Sequence, residues 1–512
     1  MPELHPSSSS SDDEKLAGDD KHHSPPTAPS PSPSPSRPDP TAIAASHNLS
    51  EKKLLRKLDA HLIPGVTTLY LLSFLDRSNV ANARLEGLEA DLGLSGADYL
   101  NGLTLFFVGY ILLEVLWNVI LKRVGPRVWL PLVTLVWGVV ATCQGAVVDG
   151  GAASGRAGFL AVRFFLGLTE GGLFPGVVFY LSMWYKRSER QYRIALFFSA
   201  ASMAGAFGGI LAWGIGHMRG IGGLSGWRWI FIIEGLLTIV LAFAAWWYVM
   251  DWPSKATFVT PEEKELVFAR LEADSDAVAD ESVSWHNVAA AMKDPKVWLY
   301  GACFHTLSLP LYTLSMFLPS IIASLGYTAA SAQLLTIPPY ALATLLTILL
   351  ATISQRTARR APFILASTTL AIAGYIILLS NPSPTLNPRL SYAGVFLAAA
   401  GIYPSVALAL AWPAVNVSGQ TKRATASALQ ITVGNLGAVI GTQLYRPGDA
   451  PRYAVGHAVA LGYLVGGLGV VGAIWGVHAR INRRRDEREE REGRGYEGVW
   501  LGDEDPRWRF GL

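Results

Sequence analysis

Arg77, Arg163 and Glu170 are ionisable residues set in runs that are otherwise apolar, and that placement is the first chemical signal in the chain. An ionised side chain at mid-bilayer costs at least ~3 kcal/mol and persists only when it is paired or faces a polar cavity. A guanidinium stays charged and offers a planar fork of donors that matches a carboxylate bidentately, so Arg77 and Arg163 form a candidate clamp for an anion. Glu170 follows Arg163 by seven residues, which is two helical turns and ~10 Å along the same face. Burial and a nearby arginine act on its carboxyl in opposite senses, a balance suited to a proton switch. Each residue also has a plainer reading: Arg77 as a lock between helices, Arg163 as a snorkelling side chain near a helix start, and Glu170 as a structural partner.

Other polar groups extend the candidate set. Asp76 adjoins Arg77 and therefore points to a different face, toward another helix. Glu114 and Glu234 are further acids in apolar surroundings, readable as proton carriers or as structural partners, and Asp76 and Glu114 join Glu170 as candidates for proton coupling. Tyr312 and Tyr403 offer hydroxyls and ring faces to a cavity, or serve as packing.

The elements that hold these groups must cross lipid. The chain is 51% hydrophobic and only 16% charged, where soluble domains carry about 25% charged residues. Its mean hydropathy is +0.31. The charges cluster in an N-terminal arm, one middle segment and a C-terminal tail, which suits a bilayer partner and not nucleic acid. Apolar segments of roughly 20 residues, the length that crosses ~30 Å of hydrocarbon, recur near 60–82, 98–121, 128–148, 157–183, 194–217 and 227–250. Six more lie near 297–323, 331–354, 361–381, 391–415, 424–445 and 454–479. Residues 297–355 contain no Asp, Glu, Lys or Arg, too long a stretch for one helix and right for two.

The chain also repeats. A shift of 229 residues lays Pro175 on Pro404, Arg193 on Lys422, Gly205 on Gly434 and Gly208 on Gly437, matching the fourth and fifth spans to the tenth and eleventh. Parallel halves with a midplane site between them are the arrangement expected of a rocking carrier. The expected fold is an all-α membrane protein of twelve transmembrane helices in two pseudo-repeated six-helix halves. Its expected organisation is an arm over 1–50, a first half over 51–250, a linker over 251–296, a second half over 297–480 and a tail over 481–512.

The arm, rich in Ser, Pro and charge, cannot bury enough apolar surface to order itself, and it offers no cleavable signal. In the linker, Thr260-Pro261-Glu262-Glu263 reads as a capping box opening an amphipathic helix. Basic residues of the short loops (Lys122, Arg123, Arg127, Lys186, Arg187, Arg359, Arg360, Lys422) fall on one side, which places both termini in the cytoplasm. Cys143 and Cys303 offer neither a disulfide framework nor a metal site. No phosphate loop, HExxH or GxSxG motif occurs, so an enzyme is a poor reading and no cofactor or metal is implied.

Several motifs carry a resemblance: LSFLDRSNVANARL at 72–85, FFVGYILLEV at 106–115, KRVGPRVW at 122–129, RFFLGLTEGGLFPGVVFYLSMWY at 163–185 and GWRWIFIIEGLLTI at 226–239. Together, over about residues 50–480, they resemble the fungal allantoate permease group, among the anion:cation symporters of the major facilitator superfamily. The resemblance implies uptake of a small organic anion of the allantoate, nicotinate, pantothenate or biotin class with a proton, driven by the proton gradient; the expected setting is a monomer in the plasma membrane, with the vacuolar membrane left open by the sequence. More distant relatives place substrate-binding arginines at the positions of Arg77 and Arg163, and a cation at that of His305. Lys122, Arg123 and Arg127 resemble the family's gating loop. The group continues its second-span motif with Pro-Ser-Asn, whereas this chain has Leu116-Trp117-Asn118, which puts the bend there in doubt. An exporter, or a nutrient sensor that binds without transporting, stands beside uptake as an alternative.

Overall fold

The structure is a computed structural model, and it describes residues 39–147, 152–274, 285–492 and 502–512. Most of the arm, residues 1–38, lies outside the described residues. Its last part forms a short helix, Pro40–Ser46, where the sequence suggested no order; Asp39 caps it by accepting from the Thr41 amide at 2.9 Å, and Pro40 occupies the first turn.

Among the described residues, twelve helices are long and apolar enough to cross a membrane, each overlapping one expected span. They run Glu51–Leu85, Gly96–Val124, Pro126–Gly145, Ala153–Ser182, Arg187–Gly216 and Gly226–Tyr248, then Pro295–Ser324, Ala329–Thr357, Ala361–Ser380, Pro388–Asn416, Gln420–Gly441 and Ala454–Glu492. Several outrun their apolar cores. The twelfth carries Arg483, Glu487 and Arg491 as successive i,i+4 partners. The second span is unbroken, so without the Pro-Ser-Asn triplet the helix runs straight through Trp117. The fourth is broken, one helix ending at Glu170 and the next running Leu173–Ser182, with Gly171 and Gly172 between them.

Packing follows the repeat. The second span packs on the eleventh and the eighth on the fifth, contacts that interchange when the halves are swapped. The first span also meets the seventh, and the fifth meets the tenth. At the end with the basic turns, Gln191 donates to Ser354 at 2.7 Å across the seam between the halves, and Arg190 to the Ala414 carbonyl at 3.3 Å. At the opposite end, Thr104 meets Thr442 at 2.7 Å and Gln333 donates to Glu86 at 3.2 Å. The seam is therefore bonded at both mouths.

The linker helix Pro261–Ala273 has its expected capping box: the Glu263 amide donates to Thr260 Oγ1 at 3.2 Å and the Thr260 amide to Glu263 at 2.9 Å. It is tied to the first half by Arg270, which is 1% exposed and donates to Glu51 at 2.6 Å and Glu189 at 2.5 Å.

Gly109 and Gly167 let the second and fourth spans cross at backbone contact. A Cβ on Gly167 would collide with the Phe106 carbonyl, and one on Gly109 with the Phe164 carbonyl. Gly167 lies between Arg163 and Glu170, so this crossing sets the depth of both side chains. Gly167→Val should cost about 1–3 kcal/mol by overpacking and lower the midpoint of heat-induced unfolding in detergent, whereas Gly466→Ala, inside the twelfth helix with open space beside it, should hold or raise that midpoint by the ~0.5–1 kcal/mol that alanine gains over glycine in a helix.

Candidate functional site

Three spans converge on one guanidinium. Arg77, from the first span and 2% exposed, donates through Nη2 to Glu170 Oε1 of the fourth span and through Nη1 to the Tyr312 hydroxyl of the seventh at 3.0 Å. Ser73, one turn before Arg77, donates to the same Glu170 oxygen. The Arg77–Glu170 ion pair is wholly buried, and Tyr312 carries it across the seam into the second half. Aromatic faces enclose it, with Arg77 Cζ 5.1 Å from the ring centres of both Phe106 and Tyr110 and 5.4 Å from that of Tyr312.

Arg163 is different. It is fully buried, its Cζ lies 4.9 Å from the Phe106 ring centre, and among the described residues none of its three guanidinium nitrogens has a hydrogen-bond partner. The ring of Phe106 thus sits against both arginines. Glu170, expected from spacing to work beside Arg163, bonds to Arg77 instead, because the rotation of the first span brings that guanidinium to it. Its Oε2 has no partner among the described residues.

The remaining candidates divide. Tyr403 joins an aromatic group across the seam, its ring centre 6.5 Å from Phe74 and from Phe198 and 5.7 Å from Tyr340, and its buried hydroxyl has no partner among the described residues. Glu114 is buried in the second span, accepts from Thr432 of the eleventh at 3.1 Å across the seam, and has no ion pair among the described residues. Asp76 turns away from the pair, as expected, and accepts from Trp137 Nε1 of the third span. His305 is engaged within the second half, Nδ1 on the Val433 carbonyl at 2.9 Å and Nε2 toward the Tyr463 hydroxyl at 3.5 Å. Arg123 and Arg127 are exposed at the turn around Gly125, whose φ of +96° favours glycine, and Lys122 is half-buried beside them.

Sequence reasoning missed Ser73, Thr432 and the Asn79–Glu234 hydrogen bond. Ser73 was available in principle, since it stands four residues before Arg77 on one helix face. Thr432 and Asn79 are ordinary polar residues whose partners are fixed by packing.

The pair sets up a mutational asymmetry. Arg77→Gln leaves the Glu170 carboxylate buried without its cation and should destabilise by about 3–5 kcal/mol, whereas Arg77→Gln with Glu170→Gln should recover most of that loss. Thermal unfolding of the single and double variants in detergent checks it.

The profile of the Major Facilitator Superfamily matches residues 66–442. The chain is 39% identical to the MFS-type transporter cnsO of Penicillium expansum over 90% of its own length and 91% of that relative's. It is 33% identical to the high-affinity nicotinic acid transporter of Saccharomyces cerevisiae over 83% of its length and 78% of that protein's. Among solved structures, the proton:xylose symporter XylE superposes with a TM-score of 0.62 at 14% identity, covering 81% of this chain and 96% of the other, a likeness of fold. Twelve membrane-crossing helices, two seam-joined halves and these relatives agree: the chain belongs to the Major Facilitator Superfamily and is a membrane transporter, not an enzyme.

Proposed function

We propose that this transporter takes up a small organic anion, a planar carboxylate, together with a proton, by rocking its two halves about the central arginines. One observation carries the reading: Arg163 is a fully buried guanidinium with no hydrogen-bond partner among the described residues, set beside an ion pair at the seam. Such a cation is tolerable in a membrane interior when its working cycle supplies an anion. A carboxylate fits it because the guanidinium fork binds two oxygens at once. The rings of Phe74, Phe107, Tyr312 and Tyr403 favour a flat substrate, and the relative named for nicotinic acid is consistent with one.

The proton has two routes in this proposal. A substrate carboxylate that competes for Arg77 displaces Glu170, which then takes up a proton in place of its lost cation. Glu114, bonded across the seam to Thr432, reports whether the halves are together and is the second proton carrier. Asp76 is assigned a structural role on the Trp137 indole, and His305 a packing role. The basic turns, Lys122, Arg123 and Arg127 among them, are assigned to the cytoplasmic face, both termini with them, and the membrane is assigned as the plasma membrane. Membership in the allantoate permease-like group of anion:cation symporters is proposed on the motifs quoted for that resemblance.

Radiolabelled nicotinate uptake into transporter-deficient yeast, with a proton gradient imposed in either direction, tests the reading. Inward uptake should rise with external acid, and Arg163→Gln should lower its kcat/KM by about 10–100-fold, the equivalent of a lost charge-assisted hydrogen bond. Full uptake by Arg163→Gln would sink the anion clamp. Acid-driven efflux would identify an exporter, and binding without flux a sensor. Glu170→Gln and Glu114→Gln should each weaken the pH dependence of uptake, and the two together flatten it, while leaving binding measurable.

A further inference from the structure

At the end with the basic turns, residues 502–512 lie folded against the helices. Their attachment to the second half is extensive. The Asp503 carboxylate meets Lys422 at 2.8 Å and Lys296 at 3.2 Å; burial alone would push it up, but these two cations hold it below the usual carboxylate range. Asn482 clasps Phe510 from both sides, its Oδ1 accepting from the Phe510 amide at 2.8 Å and its Nδ2 donating to the Phe510 carbonyl at 2.9 Å. Asn416 grips Gly511 in the same two-way fashion, at 2.7 Å and 3.1 Å.

Arg187 attaches these residues to the first half and also reaches Asn416 of the second at 3.4 Å. Arg187, the first residue of the fifth span, lies with its Cζ 3.7 Å from the Trp508 ring centre and donates through Nη2 to the Arg509 carbonyl at 2.6 Å. A cavity of about 560 Å³ opens at this part of the seam, lined by Arg187 and Ser188 on one side and by Thr357 and Arg360 on the other, and Phe510–Leu512 forms part of its wall.

We propose that residues 502–512 are a latch, carried by the second half, that holds the basic-end mouth shut by clasping Arg187 of the first half. The asymmetry of the attachments makes it a latch and not a strut: when the halves part, the many bonds to the second half survive and the Arg187 contacts break. The inference rests on the rocking motion proposed above.

The test places spin-label pairs across the basic-end mouth and across the opposite mouth of the full chain in lipid nanodiscs. Distance distributions are compared for the unaltered chain, Trp508→Ala, Arg187→Lys and a chain lacking residues 502–512, each with and without nicotinate and in neutral and acidified buffer. The latch predicts a longer distance at the basic end in all three variants, with the open-to-closed ratio up by about tenfold in Trp508→Ala and the shortened chain, the worth of one desolvated cation–π contact, and by less in Arg187→Lys, whose ammonium keeps part of that contact but loses the guanidinium fork. Trp508→Ala and Arg187→Lys keep the second-half anchors, so a folding failure of the truncated chain does not decide the matter. Unchanged basic-end distances in those two variants, in a protein whose mouths still respond to acid or nicotinate, would overturn the latch alone. Fixed distances at both mouths in every sample would overturn the latch and the rocking motion together.

Discussion

A charge held in a membrane interior has to be answered by another charge, and most of this site follows from how Arg77 is answered. Its guanidinium draws Glu170 from the fourth span and Tyr312 from the seventh into one contact. That contact fixes the rotation of the first span, and it joins the two halves at mid-depth. Once Arg77 and Glu170 neutralise each other, Arg163 stands out as the cation left unanswered among the described residues, although spacing alone ranks the two arginines as equals. The glycine crossing at Gly109 and Gly167 serves this arrangement by bringing the fourth span close enough for both of its ionisable groups to face inward.

The same economy of charge governs the aqueous ends. Arg270 bridges Glu51 and Glu189, binding the linker helix to the first half, while Asp503 gathers Lys296 and Lys422 and binds the last residues to the second. The polar segments outside the bilayer are thereby shared out between the halves. A contact that crosses from one to the other, as Arg187 with Trp508 does, is then mechanically distinct from the bonds around it.

The fold was readable in the chain because the constraints that set it are local in sequence. Twenty apolar residues cross a bilayer wherever they stand, and a shift of 229 residues exposes the repeat without any knowledge of packing. Arg77, Arg163 and Glu170 were readable for a related reason: an ionisable residue in an apolar run is conspicuous. Which of them pair was not readable, because Arg77 and Glu170 are 93 residues apart and their meeting depends on how two helices are rotated. The same limit hid Thr432 on Glu114, and the engagement of His305 by the Val433 carbonyl. The docking of residues 502–512 was hidden differently: their Asp, Arg and Trp content reads as a solvated tail until the polar surface that receives it is in view.

The break after Glu170 has a mechanical consequence. In the tenth span, which the repeat pairs with the fourth, the helix runs without interruption from Pro388 to Asn416, whereas the fourth is jointed at Gly171 and Gly172. The carboxylate that answers Arg77 is therefore the last residue before a joint. The two residues that follow that carboxylate are the least constrained of the span, and the segment beyond, Leu173–Ser182, ends five residues before Arg187.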